Sequence, residues 1–324
     1  MGKLTIVSLG YVAMSVELKN ASPSKTMTYA QFQKIGDREA AIRKLERIAL
    51  ANLENTHRLL KHNASKDIHF YRLTSRLIPL ANHEDLPDWN YIKPLKEKLS
   101  ELGQFVEKHK MRIDFHPDHF VVLNSNKKNV LLNSLKTLKM HYLLLKGMNI
   151  NPMHRCVLHV GGNYQETEQS LERFVDNWME VPRSIQKMIM LENDDTSFTM
   201  EDTLYLCEKL GIPFVFDYHH HLARHQNENW IENWERAIGT WKESSLPIKM
   251  HISSPKSKEQ FRHHADYVDV EMFFKFLKEI KGTVPEIHCM IEAKMKDEAL
   301  FTLMKQIKKR EDIEIIDGSS FYLR

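Results

Sequence analysis

Cysteine is scarce in this chain of 324 residues: there are three, Cys156, Cys207 and Cys289. An odd number set in apolar segments excludes a disulfide framework and points to reduced thiols in a core, as in a cytosolic protein. Long apolar runs are missing too. None approaches the roughly 18 residues of a membrane span, and Met1-Gly2-Lys3-Leu4-Thr5-Ile6-Val7 is too short in apolar length for a signal peptide. The expectation is a cytoplasmic protein with no membrane contact. Neither sign of charge dominates, with 46 Lys and Arg against 43 Asp and Glu, a formal net of +3. That permits nucleic acid as a partner without arguing for it. No strongly basic tail is present, so such binding must come from a local surface, where the 18 histidines can add charge. No G-x-G-x-x-G follows the first apolar run, which weakens a dinucleotide-binding sheet. No linker, low-complexity segment or long charge block divides the chain, so residues 1–324 read as one domain.

What is present is a repeated pattern. Short apolar runs near 4–11, 68–73, 111–116, 155–160, 187–192, 212–217, 246–252 and 287–292 read as buried parallel strands. Helical periodicity falls between them, near 38–62, 94–109, 127–147, 166–180, 199–210, 227–243, 270–281 and 296–309. In the first of these, Ile42, Leu45, Ala49 and Leu53 form one stripe, with Arg43, Lys44, Glu46 and Arg47 off it. Thr199 followed by Glu201 and Asp202 marks a helix start, and Gly211 then Pro213 marks its end. Alternating strands and helices imply a parallel sheet, and eight repeats favour closure into an α/β, TIM-like (β/α)8 barrel; an open doubly wound sheet is the alternative. The irregular stretch near 12–36 would lie over the active-site face.

Most runs end in a metal-ligand side chain: His116, His159, Glu192, Asp217, His251 and Glu292. Strand C-termini are where such a barrel builds its active site. His83, His220 and His264 lie in the loops just beyond. Taken singly, a His there is usually a hydrogen-bonded packing residue and an acid a helix cap. Taken together, buried acids in register with His on neighbouring strands point to metal, because unpaired buried acids are rarely tolerated. Mixed imidazole and carboxylate suits Zn²⁺ or Mn²⁺. The number of ligands exceeds what one ion needs, so a multinuclear site is expected, of the kind that activates water and neutralises a phosphodiester. In His219-His220-His221, alternation along an extended segment would turn only some side chains inward, with Asp217 and His220 the inward pair and the others at the surface.

Lys249 precedes His251 by two and shares its face of the strand. That sets an ammonium beside the metals, either ion-paired to Glu192 or Glu292 or carboxylated into an anion. Gly161-Gly162 and Ser253-Ser254-Pro255-Lys256 follow strands and are phosphate-cradle candidates, or else simple turns.

These residues resemble the UV damage endonucleases, relatives of endonuclease IV, over almost the whole chain. The resemblance is carried by Ala21-Ser22-Pro23-Ser24-Lys25-Thr26, Ile78-Pro79-Leu80-Ala81-Asn82-His83, Phe115-His116-Pro117, Leu158-His159-Val160-Gly161-Gly162 and Leu191-Glu192-Asn193-Asp194-Asp195. It continues through Asp217-Tyr218-His219-His220, Lys249-Met250-His251-Ile252-Ser253-Ser254-Pro255-Lys256, His264-Ala265-Asp266-Tyr267-Val268 and Ile291-Glu292-Ala293-Lys294.

The resemblance implies a metal-dependent endonuclease in the interior of a prokaryotic cell. It would nick damaged double-stranded DNA immediately 5′ to cyclobutane dimers and 6-4 photoproducts, leaving a 3′-hydroxyl and a 5′-phosphate, with no obligate protein partner. It implies up to three divalent ions, Mn²⁺ foremost, with Zn²⁺, Co²⁺ or Mg²⁺ as alternatives. By motif, His116, His159 and Glu192 would hold one ion. Glu192, Asp217, His251 and Glu292 would hold the second, and His220 and His264 the third. His83 matches a functional His near the site, and the lysine modification has a family precedent at Lys249. Two positions depart from the family pattern. The lesion-probing pair, commonly Gln then an aromatic, is His119 and Phe120 here. The family's Asn after Gly10-Tyr11 is absent, with Ser15 the candidate substitute. Tyr11 and Phe120 would fill the gap left by an extruded lesion. The rival readings are an abasic-site endonuclease with the same ions, a metal-dependent sugar isomerase or epimerase, and a metal-storing or DNA-binding protein without turnover.

Overall fold

The computed structural model describes residues 4–164, 166–225 and 228–324. Eight strands follow one another in chain order: β1 Thr5–Val12, β2 Phe70–Leu73, β3 Arg112–Phe115, β4 Cys156–His159, β5 Ile189–Glu192, β6 Phe214–Asp217, β7 Ile248–Ile252 and β8 Glu286–Ile291. Each pairs in parallel with the next, and β1 pairs with both β8 and β2, which closes the barrel. This is the (β/α)8 architecture that the alternation predicts. Each expected helix is present within a few residues, including Arg38–Ser65, Ile92–Lys108, Lys128–Gly147 and Met200–Leu210. The helix expected from 227 runs over Trp230–Gly239, and residue 227 lies outside the described residues.

Local chemistry sets the boundaries. Thr199 and Asp202 form a reciprocal capping box at the start of Met200–Leu210. Gly211 ends that helix at φ 65°, a left-handed conformation that costs glycine little. The buried stripe of Arg38–Ser65 is Ala41, Leu45, Ala49 and Leu53, with Ile42 half-buried beside it.

Five short elements go beyond the sequence pattern. Helices Tyr29–Gln33, Arg183–Gln186 and Tyr218–Ala223 occupy segments without enough residues to show a period. The strands β9 Ile313–Ile315 and β10 Ser320–Leu323 form an antiparallel hairpin. β10 pairs with Thr5–Ser8 of β1, while Gly10–Val12 of β1 pairs with β2, so one edge of β1 serves two partners.

Alternation divides each strand between two cores. Phe214 and Phe216 of β6 face outward, where Phe216 stacks on Trp230 at 5.5 Å. Val215 and Asp217 face inward. Barrel interiors are usually filled with branched apolar residues, but this one carries a charged layer. Arg112 Nε donates to Asp114 Oδ2 at 3.1 Å, and Lys249 Nζ lies 3.3 Å from the same oxygen. Arg155 reaches Asp114 Oδ1 at 3.6 Å. The Phe70 ring sits 5.1 Å from the Arg112 guanidinium and 5.5 Å from the Lys249 ammonium. Burial would raise the Asp114 carboxyl, but the three cations hold it below its ordinary value. Among the described residues, no helix is long and apolar enough to cross a membrane.

Candidate metal centre

Above the charged layer, at the C-terminal ends of the strands, the inward positions are imidazoles and carboxylates. Register accounts for their meeting: His159 lies opposite Glu192, and Asp217 opposite His251. His116 and Glu292 directly follow β3 and β8. Glu192 is the hub. Its Oε2 lies 3.0 Å from His116 Nε2 and 3.3 Å from His159 Nε2, and its Oε1 lies 2.9 Å from His251 Nδ1 and 3.4 Å from His220 Nδ1. His251 Nδ1 is also 3.2 Å from Glu292 Oε1.

Ligand atoms converge within 4.8 Å of one another in three overlapping groups: His116, His159 and Glu192; Glu192, Asp217 and His220; and Asp217, His251 and Glu292. Three buried atoms of this set, His159 Nε2, His251 Nε2 and Asp217 Oδ2, make no hydrogen bond among the described residues. Such atoms are costly unless something coordinates them, and imidazole nitrogen with carboxylate oxygen is a donor set for divalent transition ions. The residues present therefore fit metal ions.

The electrostatics agree. Burial works to raise the Glu192 carboxyl, but the nearby His251 and His159, with a hydrogen bond from His116, hold it well below the usual range. Asp217 behaves oppositely. Burial raises it, and the neighbouring Glu192 and Glu292 charges raise it further against the pull of His220. Burial also lowers His116, to about 4, so its imidazole is neutral and able to act as a ligand.

The structure does not gather all the expected residues here. His264 stands at the rim, with Nδ1 2.7 Å from the Glu292 carbonyl and its ring 6.2 Å from that of His220. His83 stacks on Tyr29 at 4.0 Å, in a groove beside the mouth. Lys249 is paired with Asp114 rather than with Glu192 or Glu292. The triple histidine needs correction. Asp217 Oδ1 accepts the His220 backbone N–H at 2.7 Å and caps the helix Tyr218–Ala223, so the segment is not extended. All three rings are buried. His219 bonds Ser253 Oγ at 2.6 Å and the Phe261 carbonyl at 2.7 Å, and His221 packs on Phe216.

The DNA-facing candidates divide. His119 and Phe120 are exposed, Phe120 by 60%. Tyr11, by contrast, is fully buried, with its hydroxyl donating to Asn63 Oδ1 at 2.6 Å, so it offers no surface to a duplex here. Ser15 donates to Asp297 and accepts from the Leu18 N–H, which commits its hydroxyl within the protein. Ser253 and Ser254 are buried on His219 and on the Asp269 N–H, respectively. Lys256 of the same segment is exposed. Gly161 takes φ 122°, and Gly162 exchanges hydrogen bonds with the Asn124 amide, so this pair is a closed turn.

Two contributors lie outside the sequence reading. Arg72 on β2 forms an ion pair with Glu292. Asn193 joins β5 to β6, donating to the Asp217 carbonyl at 3.0 Å and accepting from its N–H at 2.9 Å. Alternation along Phe70-Tyr71-Arg72 and Arg112-Ile113-Asp114-Phe115-His116 was the signal that could have found the inward charges.

Comparisons with known proteins identify the family and the fold. The family model "UV-endonuclease UvdE" matches residues 7–322. A UV DNA damage endonuclease of Halalkalibacterium halodurans is 53% identical over 315 residues, covering 97% of this chain and 98% of that protein. A crystal structure of SacUVDE superposes with a TM-score of 0.80 at 30% identity, covering 94% of this chain and 98% of that one. Endonuclease IV from Thermus thermophilus, at a TM-score of 0.55 and 10% identity over 94% of this chain and all of that one, shares the fold. The chain belongs to the UV-endonuclease UvdE family.

Proposed function

We propose that this chain is a metal-dependent repair nuclease that hydrolyses the phosphodiester immediately 5′ to UV photoproducts in duplex DNA, cyclobutane dimers and 6-4 photoproducts, leaving a 3′-hydroxyl and a 5′-phosphate. The observation that carries the metal dependence is the set of three overlapping ligand groups sharing Glu192 and Asp217, with buried donor atoms left without hydrogen bonds. His116, His159 and Glu192 would hold one ion. Asp217, His251 and Glu292, with Glu192 bridging, would hold a second, and His220 with His264 a third at the rim. Divalent ions there, Mn²⁺ foremost, would lower the pKa of water and neutralise the phosphate.

The remaining residues position and support. Arg72 fixes the Glu292 carboxylate, and Asn193 locks the strand ends that carry Glu192 and Asp217. The buried layer of Arg112, Asp114 and Lys249 fills the barrel floor beneath them. Burial lowers Lys249 to about 8, which brings within reach the uncharged amine that carboxylation needs; an intact-mass increment lost on acid treatment would identify that modification. Phe120 supplies an exposed ring that can stack against bases once the lesion leaves the helix, with His119 beside it. A photoproduct lowers the cost of that extrusion because its stacking is already disturbed.

The test is nick mapping on three duplexes, one with a single cyclobutane dimer, one abasic and one undamaged. Cutting directly 5′ to the dimer is expected. Cutting of the abasic duplex alone would move the function to abasic repair, and no cutting by metal-loaded protein would favour a small-molecule barrel.

A further inference from the structure

The modest net charge of +3 hides an uneven distribution. From His119 to Gln165, 47 residues contain six Lys and Arg and no Asp or Glu, so the rest of the chain is net negative. Most of these cations lie on or beside one element. Lys127 precedes the helix Lys128–Gly147, and Lys128, Lys136, Lys139 and Lys146 are on it; all five are exposed. None of the five forms an ion pair among the described residues. The helix Ile92–Lys108, packed alongside, has its own acids, Glu97, Glu101 and Glu107, matched by Lys93, Lys96, Lys98 and Lys108. A surface that kept these lysines only for solubility would have no reason to exclude acids over such a length.

A groove beside the barrel mouth leads to this helix. Ser75 Oγ donates to the His116 carbonyl at 2.8 Å, and Ser75 lines the near end of a cleft of about 730 Å³ together with Arg76, His83, Phe120, Asn133 and Thr137. The residues Ala81, Asn82, His83 and Glu84 also line an adjoining cleft of about 310 Å³, which ends on Lys136 and Lys139 with Trp89 and Tyr91 opposite. Glu84 is the single acid of that second cleft.

We propose that the helix Lys128–Gly147 is a docking face for the phosphodiester backbone of the duplex flanking the lesion, with Lys136 and Lys139 contacting phosphates at the far end of this groove. The proposal rests on the nuclease reading and adds a direction to it. The bound duplex leaves the barrel mouth past Phe120 and follows the side of the barrel, so one flank of the lesion is held more strongly than the other. Lysine contacts of this kind give affinity without sequence preference, which suits an enzyme that must act wherever a lesion falls.

The experiment compares native protein with a Lys136→Ala/Lys139→Ala variant and a Lys136→Arg/Lys139→Arg variant, all metal-loaded. KM for nicking a dimer-containing duplex is measured across salt concentrations, with either flank shortened in turn. The alanine variant is expected to raise KM about tenfold at low salt and to lower the log–log salt slope by about 2, near 0.9 for each phosphate no longer neutralised. Its deficit should vanish when one particular flank is shortened, and the arginine variant should restore both values with melting unchanged. A native KM and salt slope in the alanine variant would overturn the docking face while leaving the nuclease reading intact. No nicking by native protein would overturn both.

Discussion

Lys249 and Asp114 face each other across the barrel floor, 3.3 Å apart and both wholly buried, directly beneath the candidate metal ligands. Arg112 and Arg155 complete the set around the same carboxylate. A buried charge without its partner is far more costly than the pair is stabilising, so the floor depends on Asp114 more than on any one cation.

Asp114→Asn should therefore lower the free energy of unfolding by about 3–5 kcal/mol, because three cations lose their common anion. Lys249→Met should cost less, about 1–3 kcal/mol, since Arg112 and Arg155 still neutralise Asp114. Urea unfolding of the two variants checks the order. A Lys249→Met variant less stable than Asp114→Asn would mean the carboxylate is not the hub.

Acid should destabilise the fold in a defined window. Burial lowers His141 to about 3 and His154 to about 4, both below the ordinary value of 6.5. The unfolded chain then binds more protons than the folded one between those values and 6.5, so stability is complete above 6.5 and is lost as pH falls toward 4. His141 stacks on Phe115 at 4.4 Å, and His141→Phe keeps an aromatic there without a titrating ring. The melting temperature of that variant should fall less steeply between pH 6.5 and pH 4 than that of the native protein. Parallel curves would contradict the assignment.

Phe120 is 60% exposed, and removing it should leave stability within about 0.5 kcal/mol. Affinity for a dimer-containing duplex should nonetheless drop by about 1–3 kcal/mol, the usual value of one aromatic–base stack. Gel-shift titration of Phe120→Ala with damaged and undamaged duplex separates the two effects. An equal, small loss on both would place Phe120 outside the lesion.

Metal should stabilise as well as activate. The candidate ligands sit at the ends of six strands, β3 to β8, rather than on one loop, so ions bound to the folded state raise its stability in proportion to the logarithm of their concentration. Thermal melting in EDTA should give a lower midpoint than in Mn²⁺, with the difference growing as Mn²⁺ is added.

The barrel was legible because most strands are short apolar runs that stop at a polar residue, and Glu192 and His251, each with other ligand-type side chains at neighbouring stops, point together to chemistry rather than packing. The floor was harder to see. Arg112 and Asp114 alternate with Ile113 and Phe115, and reading that segment as one apolar run hid a period of two. The triple histidine failed for a different reason. Asp217 is both a candidate ligand and a helix N-cap, and its capping bond to His220 turns the following residues into a helix, which buries His219 and His221 as well. Tyr11 is likewise inside the protein because Asn63, far away in sequence, takes its hydroxyl. Such long-range partners leave no local trace. The β9–β10 hairpin escaped notice because strands of three and four residues show too little alternation to register.

The most direct test of the metal centre is a Mn²⁺ titration of metal-stripped protein, native beside Glu192→Gln, reading ions bound per chain and nicking of the dimer duplex in the same samples. Glu192 contacts four histidines of the cluster, so the account predicts more than one ion per native chain, the loss of at least one in the variant, and nicking that rises with occupancy only in the native protein. Equal occupancy in the two proteins, or nicking that proceeds in native protein without bound metal, would contradict it.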